Sequence, residues 1–482
     1  MSWRHLLHVV GAVVGAIGAS MLMSALVSAI YQEWSSALWT LAAAALTTAI
    51  GLVLWRFFDQ PGELSTREGF AAVALAWIAI GLVGALPYLF TGSITNVTDA
   101  VFETVGGFST TGSSVIPDPA LLPHGIQFWR SFTQWMGGMG IIVLSIAILP
   151  LLGMGAVQLA RAESPGPTPD RLTPRFKETA KRLWIVYVAL TAIEMLLLWF
   201  GDMTLFEAIN HGFTTMSTGG YSTNAGSLNA FSSYSQWVVI IFMVLAGTSF
   251  AVHYRALRKP DVYWKTTEVR VYLGAIGAAA IVMVVGTWGG SVHDTIRDAI
   301  FTSASMITTT GYGTADFGLW KPALQIMIVG LMFVGGMAGS TAGSVKIYRH
   351  EVLYEASRVD IRRLIHPRGV FVARIGQSPL KDDLVEAVQT FFLLYMFAFM
   401  TGSFALAVMA SIWGPDMDIV STVSAVASAL GNVGPGLGSV GPTGNYLQVP
   451  TLGKWLLAGL MIVGRLEILP ILILFNRESW RR

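Results

Sequence analysis

Four short turns of Thr, Asn and Gly, each set between apolar stretches of one chain, constrain the fold more than any other feature. They are Ser109-Thr110-Thr111-Gly112-Ser113, Ser217-Thr218-Gly219-Gly220-Tyr221, Thr309-Thr310-Gly311-Tyr312-Gly313 and Gly431-Asn432-Val433-Gly434-Pro435. A single turn of this kind arises by chance. Glycine admits φ > 0, which lets successive carbonyls face one side. The flanking stretches are membrane-length, and non-helical backbone at membrane depth survives only buried in protein or beside a water-filled path. Four such turns must therefore converge on one axis.

Composition identifies the solvent. The chain is 54% hydrophobic and 12% charged, and apolar runs long enough to cross a bilayer recur throughout. Ten spans are predicted, at residues 6–30, 37–57, 70–90, 128–152, 183–200, 237–254, 271–288, 323–348, 391–412 and 455–475. The first is too long for a signal-peptide apolar core and no small-residue cleavage site follows it, so it reads as retained. Cysteine is absent, which excludes disulfides and thiolate metal sites. With the N-terminus inside, basic residues collect on one face: Arg161, Arg171, Arg175, Lys177, Lys181 and Arg182, then Arg255, Arg258, Lys259, Lys265 and Arg270, then Arg349 to Lys381, and finally Arg477, Arg481 and Arg482. The other face keeps only Arg130, Arg297, Lys321 and Lys454. The positive-inside rule then puts both termini in the cytoplasm. These charges lie in short loops between spans, which argues against nucleic acid as a partner. Trp3, Trp34, Trp55 and Trp480 read as interfacial anchors in contact with lipid.

The turns belong to a degenerate repeat. Asp99-Ala100-Val101-Phe102 precedes Gly112 by the spacing at which Asp298-Ala299-Ile300-Phe301 precedes Gly311, and Glu207-Ala208-Ile209 keeps it to Gly220. That spacing selects Gly220 over Gly219 as the equivalent glycine. In the fourth unit Asp416 and Asp418 lie slightly further upstream of Gly434. Each unit reads as span, acid-started short helix, turn, span. The acids suit helix N-termini, as caps or as a cation-attracting rim, and the partially negative C-terminal ends point inward. The predicted fold is an all-α polytopic membrane protein with four pseudo-symmetric helix–pore-loop–helix repeats around one pore, preceded by two extra transmembrane helices. The ranges are 1–60 for the extra helices, 68–155, 180–257 and 268–350 for three repeats, 351–384 for a cytoplasmic hairpin and linker, and 385–482 for the fourth repeat. The hairpin pairs Val370 to Ile375 with Ser378 to Lys381 and offers a docking surface. The third turn is one residue from the Thr-Val-Gly-Tyr-Gly of potassium-channel filters, where carbonyls replace a cation's hydration shell.

Two further features are costly in a membrane. Gly335, Gly336, Gly339, Ser340, Thr341, Gly343 and Lys346 crowd the eighth span. Such a stretch either breaks the helix or packs it tightly on a neighbour. It is not a phosphate loop, because Val345 separates Ser344 from Lys346. Arg465 sits in mid-span, where a charge costs roughly 2.5–3.5 kcal/mol. It faces the pore or the interrupted stretch, or else pairs with an acid of another repeat; Glu467, two residues on, points elsewhere on a helix. His211, in the second short helix, reads as a packing residue.

Phe128-Trp129-Arg130-Ser131-Phe132-Thr133-Gln134-Trp135-Met136-Gly137-Gly138-Met139-Gly140, Glu163-Ser164-Pro165-Gly166-Pro167, Pro174-Arg175 and His366-Pro367-Arg368 carry a resemblance. The chain resembles the Trk/Ktr/HKT superfamily of potassium-uptake membrane subunits, in its TrkH branch, over nearly its whole length. The resemblance implies channel-like K⁺ uptake across the bacterial inner membrane. The selectivity filter would comprise Thr110, Thr111, Gly112, Thr218, Gly219, Gly220, Thr309, Thr310, Gly311, Asn432, Val433 and Gly434, with potassium at their backbone carbonyls as transported ion and no other cofactor. It also implies that the 335–346 stretch is a gating loop below the filter, that Arg465 is an electrostatic barrier there, and that the chain forms a homodimer regulated by a cytoplasmic TrkA-type nucleotide-binding protein. A proton- or sodium-coupled potassium symporter is the alternative, although such carriers use paired inverted repeats. An enzyme is disfavoured, since no Gly-x-Ser-x-Gly or His-Glu-x-x-His falls in a span.

Overall fold

The computed structural model describes the chain apart from residues 1, 60–65, 149–171, 290, 377, 416, 469 and 473–482. The Glu163-to-Pro167 motif, Arg161, Arg171, Asp416, Trp480 and the C-terminal arginines therefore lie outside the described residues. The protein is an all-α polytopic membrane protein. An antiparallel hairpin of α1 (Trp3–Ile30) and α2 (Trp34–Phe57) leads the chain. Small residues bring the two backbones together: a Cβ on Gly11 would touch Trp55, and one on Gly51 would touch Gly15, the close approach that membrane helices use for packing.

Four repeats follow. The first holds α3 (Thr66–Val83), α4 (Leu86–Thr91), the short α5 (Val97–Phe108) and α6 (His124–Ile148). The second holds α7 (Leu172–Trp199), the short α8 (Leu205–Met216), α9 (Ser233–Ala246) and α10 (Phe250–Ala256); the single turn α11 (Val262–Lys265) links it to the third. The third holds α12 (Thr267–Thr287), the short α13 (Val292–Ile307), α14 (Pro322–Leu331) and α15 (Ile347–Ile365). After a two-stranded hairpin, β1 (Arg374–Ile375) with β2 (Ser378–Pro379), the fourth holds α16 (Asp382–Trp413), the short α17 (Ile419–Gly431) and α18 (Thr451–Arg465). The buried core joins repeats 1 and 4 through Phe102, Trp129, Leu430 and Leu457. It joins 2 and 3 through Tyr187, Phe242, Phe301 and Ile307, and 3 and 4 through Met306, Ile328, Ala427 and Val433.

Among the described residues six helices are long and apolar enough to cross a membrane, or up to seven if one bent pair counts as a span. Ten were expected; of the four not among the six, the span 128–152 runs beyond the described residues, and the other three are the second spans of repeats 2 to 4. The expected span 237–254 bends by 99° between α9 and α10, where Gly247, Thr248 and Ser249 interrupt an apolar run. The span 323–348 yields only the 10-residue α14 before an irregular stretch. The span 455–475 stops at Arg465, beyond which Glu467 and Ile468 take positive φ. Weak helix formers mark the first two breaks, and left-handed residues mark the second and third.

The short helices start where capping chemistry allows. Asn96 accepts from the N–H groups of Thr98 and Asp99, Thr204 and Glu207 form a capping box, and Asp418 accepts from Ser421, each satisfying otherwise orphaned donors. The third departs from expectation. Helix α13 begins at Val292 with Asp294 in its first turn, so Asp298 lies inside the helix and pairs with Arg297 at 3.1 Å. Three of the four sparse basic residues of that face are neutralised locally. Arg130 pairs with Glu103 at 2.7 Å, Arg297 also pairs with Asp294 at 2.9 Å, and Lys454 pairs with Asp99 at 2.5 Å.

Candidate functional site

Each short helix runs straight into its turn, and the four turns share one backbone pattern. Thr110, Thr218, Thr309 and Asn432 have φ of 54°, 54°, 58° and 54°; two residues on, Gly112, Gly220, Gly311 and Gly434 have φ of 80°, 76°, 81° and 114°. Gly220 therefore holds the position of Gly112 and Gly311, and Gly219 holds that of Thr111 and Thr310. The turn N–H groups fold back onto the helix ends. Thr111 and Gly112 donate to Gly106 O, Gly219 and Gly220 to Thr214 O, Thr310 and Gly311 to Ser305 O, and Val433 to Ser428 O. Bound in this way, the amides leave the carbonyls to face elsewhere.

The turns close on one another. A Cβ on Gly112 would meet Gly219 O, one on Gly220 would meet Thr310 O, one on Gly311 would meet Val433 O, and one on Gly434 would meet Thr111 O, all closer than the 3.0 Å that real Cβ contacts avoid. The contacts run from unit 1 to 2, 3, 4 and back to 1, so the turns form a ring with glycine at every seam. Of the carbonyls of residues 110–112, 218–220, 309–311 and 432–434, only Gly219 O and Gly434 O accept a hydrogen bond from a side chain among the described residues. The donors are Gln134 to the first, and Ser113, Ser428 and Tyr446 to the second. The other ten, in buried or half-buried residues, have no protein donor among the described residues, an uncommon condition for backbone so little exposed.

The stretch 332–346 lies against the side of the ring where the short helices end. Gly335 and Gly339 have φ of 77°, and Lys346 has 74°. Gly336 O accepts from Ile347, Gly339 O accepts from Phe250, and the Ser340 hydroxyl bonds Met337 O. Gly343 N donates to the Thr309 hydroxyl at 2.8 Å, and a Cβ on Gly343 would meet Gly431 O. The Thr341 hydroxyl reaches Met216 O at 3.1 Å and Ala246 O at 3.2 Å. The stretch thus touches the ends of the second, third and fourth short helices. Glu268 accepts from Ala338 N at 2.7 Å on its far side.

Arg465 is 2% exposed. It donates to Thr341 O at 2.7 Å and to Gly137 O at 3.3 Å, and among the described residues no carboxylate lies within ion-pair distance of it. Glu467 turns away to bind Lys346 at 2.8 Å and Arg349 at 2.5 Å. Lys346, expected with the loop, thus forms its anchor to the fourth repeat. His211 is buried, with Nδ1 2.9 Å from Glu207 O and Nε2 3.1 Å from Ser222 Oγ; both nitrogens are used inside the protein.

The family model described as TrkH, cation transport protein, matches residues 38–274 and 287–481. The chain belongs to the TrkH family. The Trk system potassium uptake protein TrkH of Escherichia coli K12 is 38% identical over the whole of both chains. TrkI of Halomonas elongata is 34% identical over 91% of this chain and 88% of its own. The crystal structure of the potassium transporter TrkH from Vibrio parahaemolyticus superimposes with a TM-score of 0.91 at 34% identity, covering all of both chains. TrkH is a family of transport proteins, and these relatives are named as transporters rather than enzymes.

In this TrkH-family chain the ring is backed by a buried polar network, of which composition and spacing did not single out Glu103 and Tyr446. Glu103, inside the first short helix and fully buried, accepts from Arg130 Nε, from Val115 N at 2.9 Å and from the Ser114 hydroxyl. The Arg130 guanidinium stacks on Tyr221, 4.0 Å from the ring centroid, and the Tyr221 hydroxyl reaches Glu103 O and Ser113 O. Tyr312 bonds the Thr214 hydroxyl, and Tyr446 bonds Gly434 O. The available signal for Glu103 was a second acid, past the first turn of a short helix between apolar spans. Its pair with Arg130 sits in low dielectric, where removing one partner strands the other. Glu103→Gln is therefore expected to lower stability by about 3–5 kcal/mol, seen as a large drop in melting temperature of the detergent-solubilised protein; an unchanged melt would mean the pair is solvated.

Proposed function

We propose that this chain conducts potassium into the cell across the bacterial inner membrane, with both termini cytoplasmic, and that the ring of four turns is its selectivity filter. The observation that carries the reading is the closed 1–2–3–4–1 contact of glycine with neighbouring carbonyl. The carbonyls of Thr110, Thr111, Gly112, Thr218, Gly220, Thr309, Thr310, Gly311, Asn432 and Val433, in buried or half-buried residues, have no donor among the described residues to satisfy them. A dehydrated monovalent cation does so, and carbonyl cages of this kind replace its water. The negative ends of four helix dipoles add to the attraction. The potassium-uptake names carried by full-length relatives support K⁺ as the transported ion.

The stretch 335–346 is the gate in this reading, because it lies on the ring and holds Thr309. It is released through α15 and the hairpin when a TrkA-type nucleotide-binding regulator docks on the cytoplasmic face of a homodimer. Deleting residues 338–343 removes the Thr341 and Gly343 contacts, and several-fold more K⁺ flux into proteoliposomes is expected without any regulator. Flux at or below the parent level, from a variant that melts normally, would sink the gate. Planar-bilayer recording separates a pore from a proton- or sodium-coupled carrier: discrete openings support conduction, whereas intact uptake with no openings supports coupling.

A further inference from the structure

The second turn breaks the pattern of the other three, and a side chain from another repeat accounts for the break. Units 1 and 3 carry Thr111 and Thr310 ahead of the seam glycine, and unit 4 carries Val433; unit 2 carries Gly219. In units 1 and 3 that threonine closes a hydroxyl pair, Ser109 with Thr111 at 2.7 Å and Thr308 with Thr310 at 2.7 Å. Unit 2 has Ser217 but no hydroxyl at position 219. A Cβ on Gly219 would fall on the carboxamide of Gln134, closer than 3.0 Å to its Cδ, Oε1 and Nε2. The glutamine amide fills the space that threonine fills elsewhere.

Gln134 comes from α6 of the first repeat and is fully buried. Its Nε2 donates to Gly219 O at 2.7 Å, and its Oε1 accepts from Tyr221 N at 3.1 Å. One carboxamide thus spans Gly220, binding the residue on either side. The flipped amide would set donor against donor and acceptor against acceptor, so only one orientation satisfies both bonds. Gly219 O is also the carbonyl that Gly112 abuts at the seam of units 1 and 2.

We propose that Gln134 is a positioning residue that fixes the second turn and thereby sets the preference among monovalent cations, a role that rests on the turns being the ion path. Its N–H engages a lone pair of Gly219 O and prevents that carbonyl from moving inward. A smaller ion needs closer ligands than K⁺, so a pinned carbonyl penalises Na⁺. The asymmetry follows directly: the ring has one carbonyl tied by a neighbouring repeat's amide, and the corresponding carbonyls of Thr111, Thr310 and Val433 lack such a bond among the described residues.

The test uses the full chain in proteoliposomes, with reversal potentials in opposed K⁺ and Na⁺ gradients. Gln134→Met keeps the volume and removes both hydrogen bonds; a K⁺/Na⁺ permeability ratio lower by about tenfold is expected, along with a rise in apparent KM for K⁺. Gln134→Ala empties the space, and adding Gly219→Thr to it returns a hydroxyl able to pair with Ser217, so the double variant is expected to regain most of the ratio. Gly112→Ser is the reference. If Gly112→Ser lowers the ratio and Gln134→Met does not, the positioning role is overturned while the ion path stands. If neither changes it, the turns are not the ion path. A ratio lost in Gln134→Ala and not regained with Gly219→Thr overturns the exchange of amide for hydroxyl, and thus the account of the asymmetry.

Discussion

Gly112→Ser is expected to lower the K⁺/Na⁺ permeability ratio by about tenfold, equivalent to about 1.4 kcal/mol of lost discrimination. Two effects act together. The residue holds φ of 80°, in a region where a Cβ costs roughly 1–2 kcal/mol. The new Cβ also points straight at Gly219 O across the seam, so the neighbouring carbonyl must rotate or retreat. Both distort the spacing of oxygens on which recognition of a dehydrated ion depends. The same substitution at Gly459, around which a Cβ meets nothing, should leave the ratio alone. Equal reversal potentials in parent and Gly112→Ser would remove Gly112 from the ion path.

Arg465→Ala is expected to raise basal K⁺ flux several-fold in a variant that remains folded. A unit charge acts on a passing cation by about 4 kcal/mol at 4 Å with an effective dielectric near 20. Loss of a buried ion-pair partner would instead destabilise by roughly 3–5 kcal/mol, but the acid that this requires is not found beside Arg465 among the described residues; its partners are the carbonyls of Thr341 and Gly137. The guanidinium also holds the interrupted stretch in place through Thr341. Arg465→Lys separates the two effects, because it keeps the charge and loses the forked donor geometry. Flux near the parent level in Arg465→Lys assigns the effect to charge, and flux as high as in Arg465→Ala assigns it to anchoring. A melt lowered in Arg465→Ala and rescued by neutralising an acid would overturn both.

The turns, their spacing and the membrane setting were legible in the amino-acid order because each depends on local chemistry. Positive φ suits the Gly of each turn, an N-terminal cap suits Asn, Ser, Thr or Asp, and a bilayer requires length and apolarity. The positive φ of Thr110, Thr218 and Thr309 goes against local preference and was not legible. The register of Gly220 with Gly112 and Gly311 followed from the same local spacing. Where local signals compete the reading was weaker: Asp298 looked like a helix start, yet α13 begins at Val292, since Asp294 serves the same dipole. The bend at Gly247 to Ser249 was also obscured, because the apolar residues on either side sustain one continuous hydrophobic run.

Tertiary structure decided everything that depends on which atoms meet across repeats. The cyclic order of glycine against carbonyl, Gly343 on Thr309, Glu467 on Lys346 and Arg349, and Gln134 across Gly220 join residues tens to hundreds of positions apart. No periodicity in a single chain encodes such pairings, because they arise only once four helix ends are brought to one axis. The sequence by itself determined that four carbonyl-turning loops exist inside a membrane protein. Packing alone determined that they close into one ring, which carbonyls stay free, and that Arg465 rests on backbone oxygens rather than on an acid.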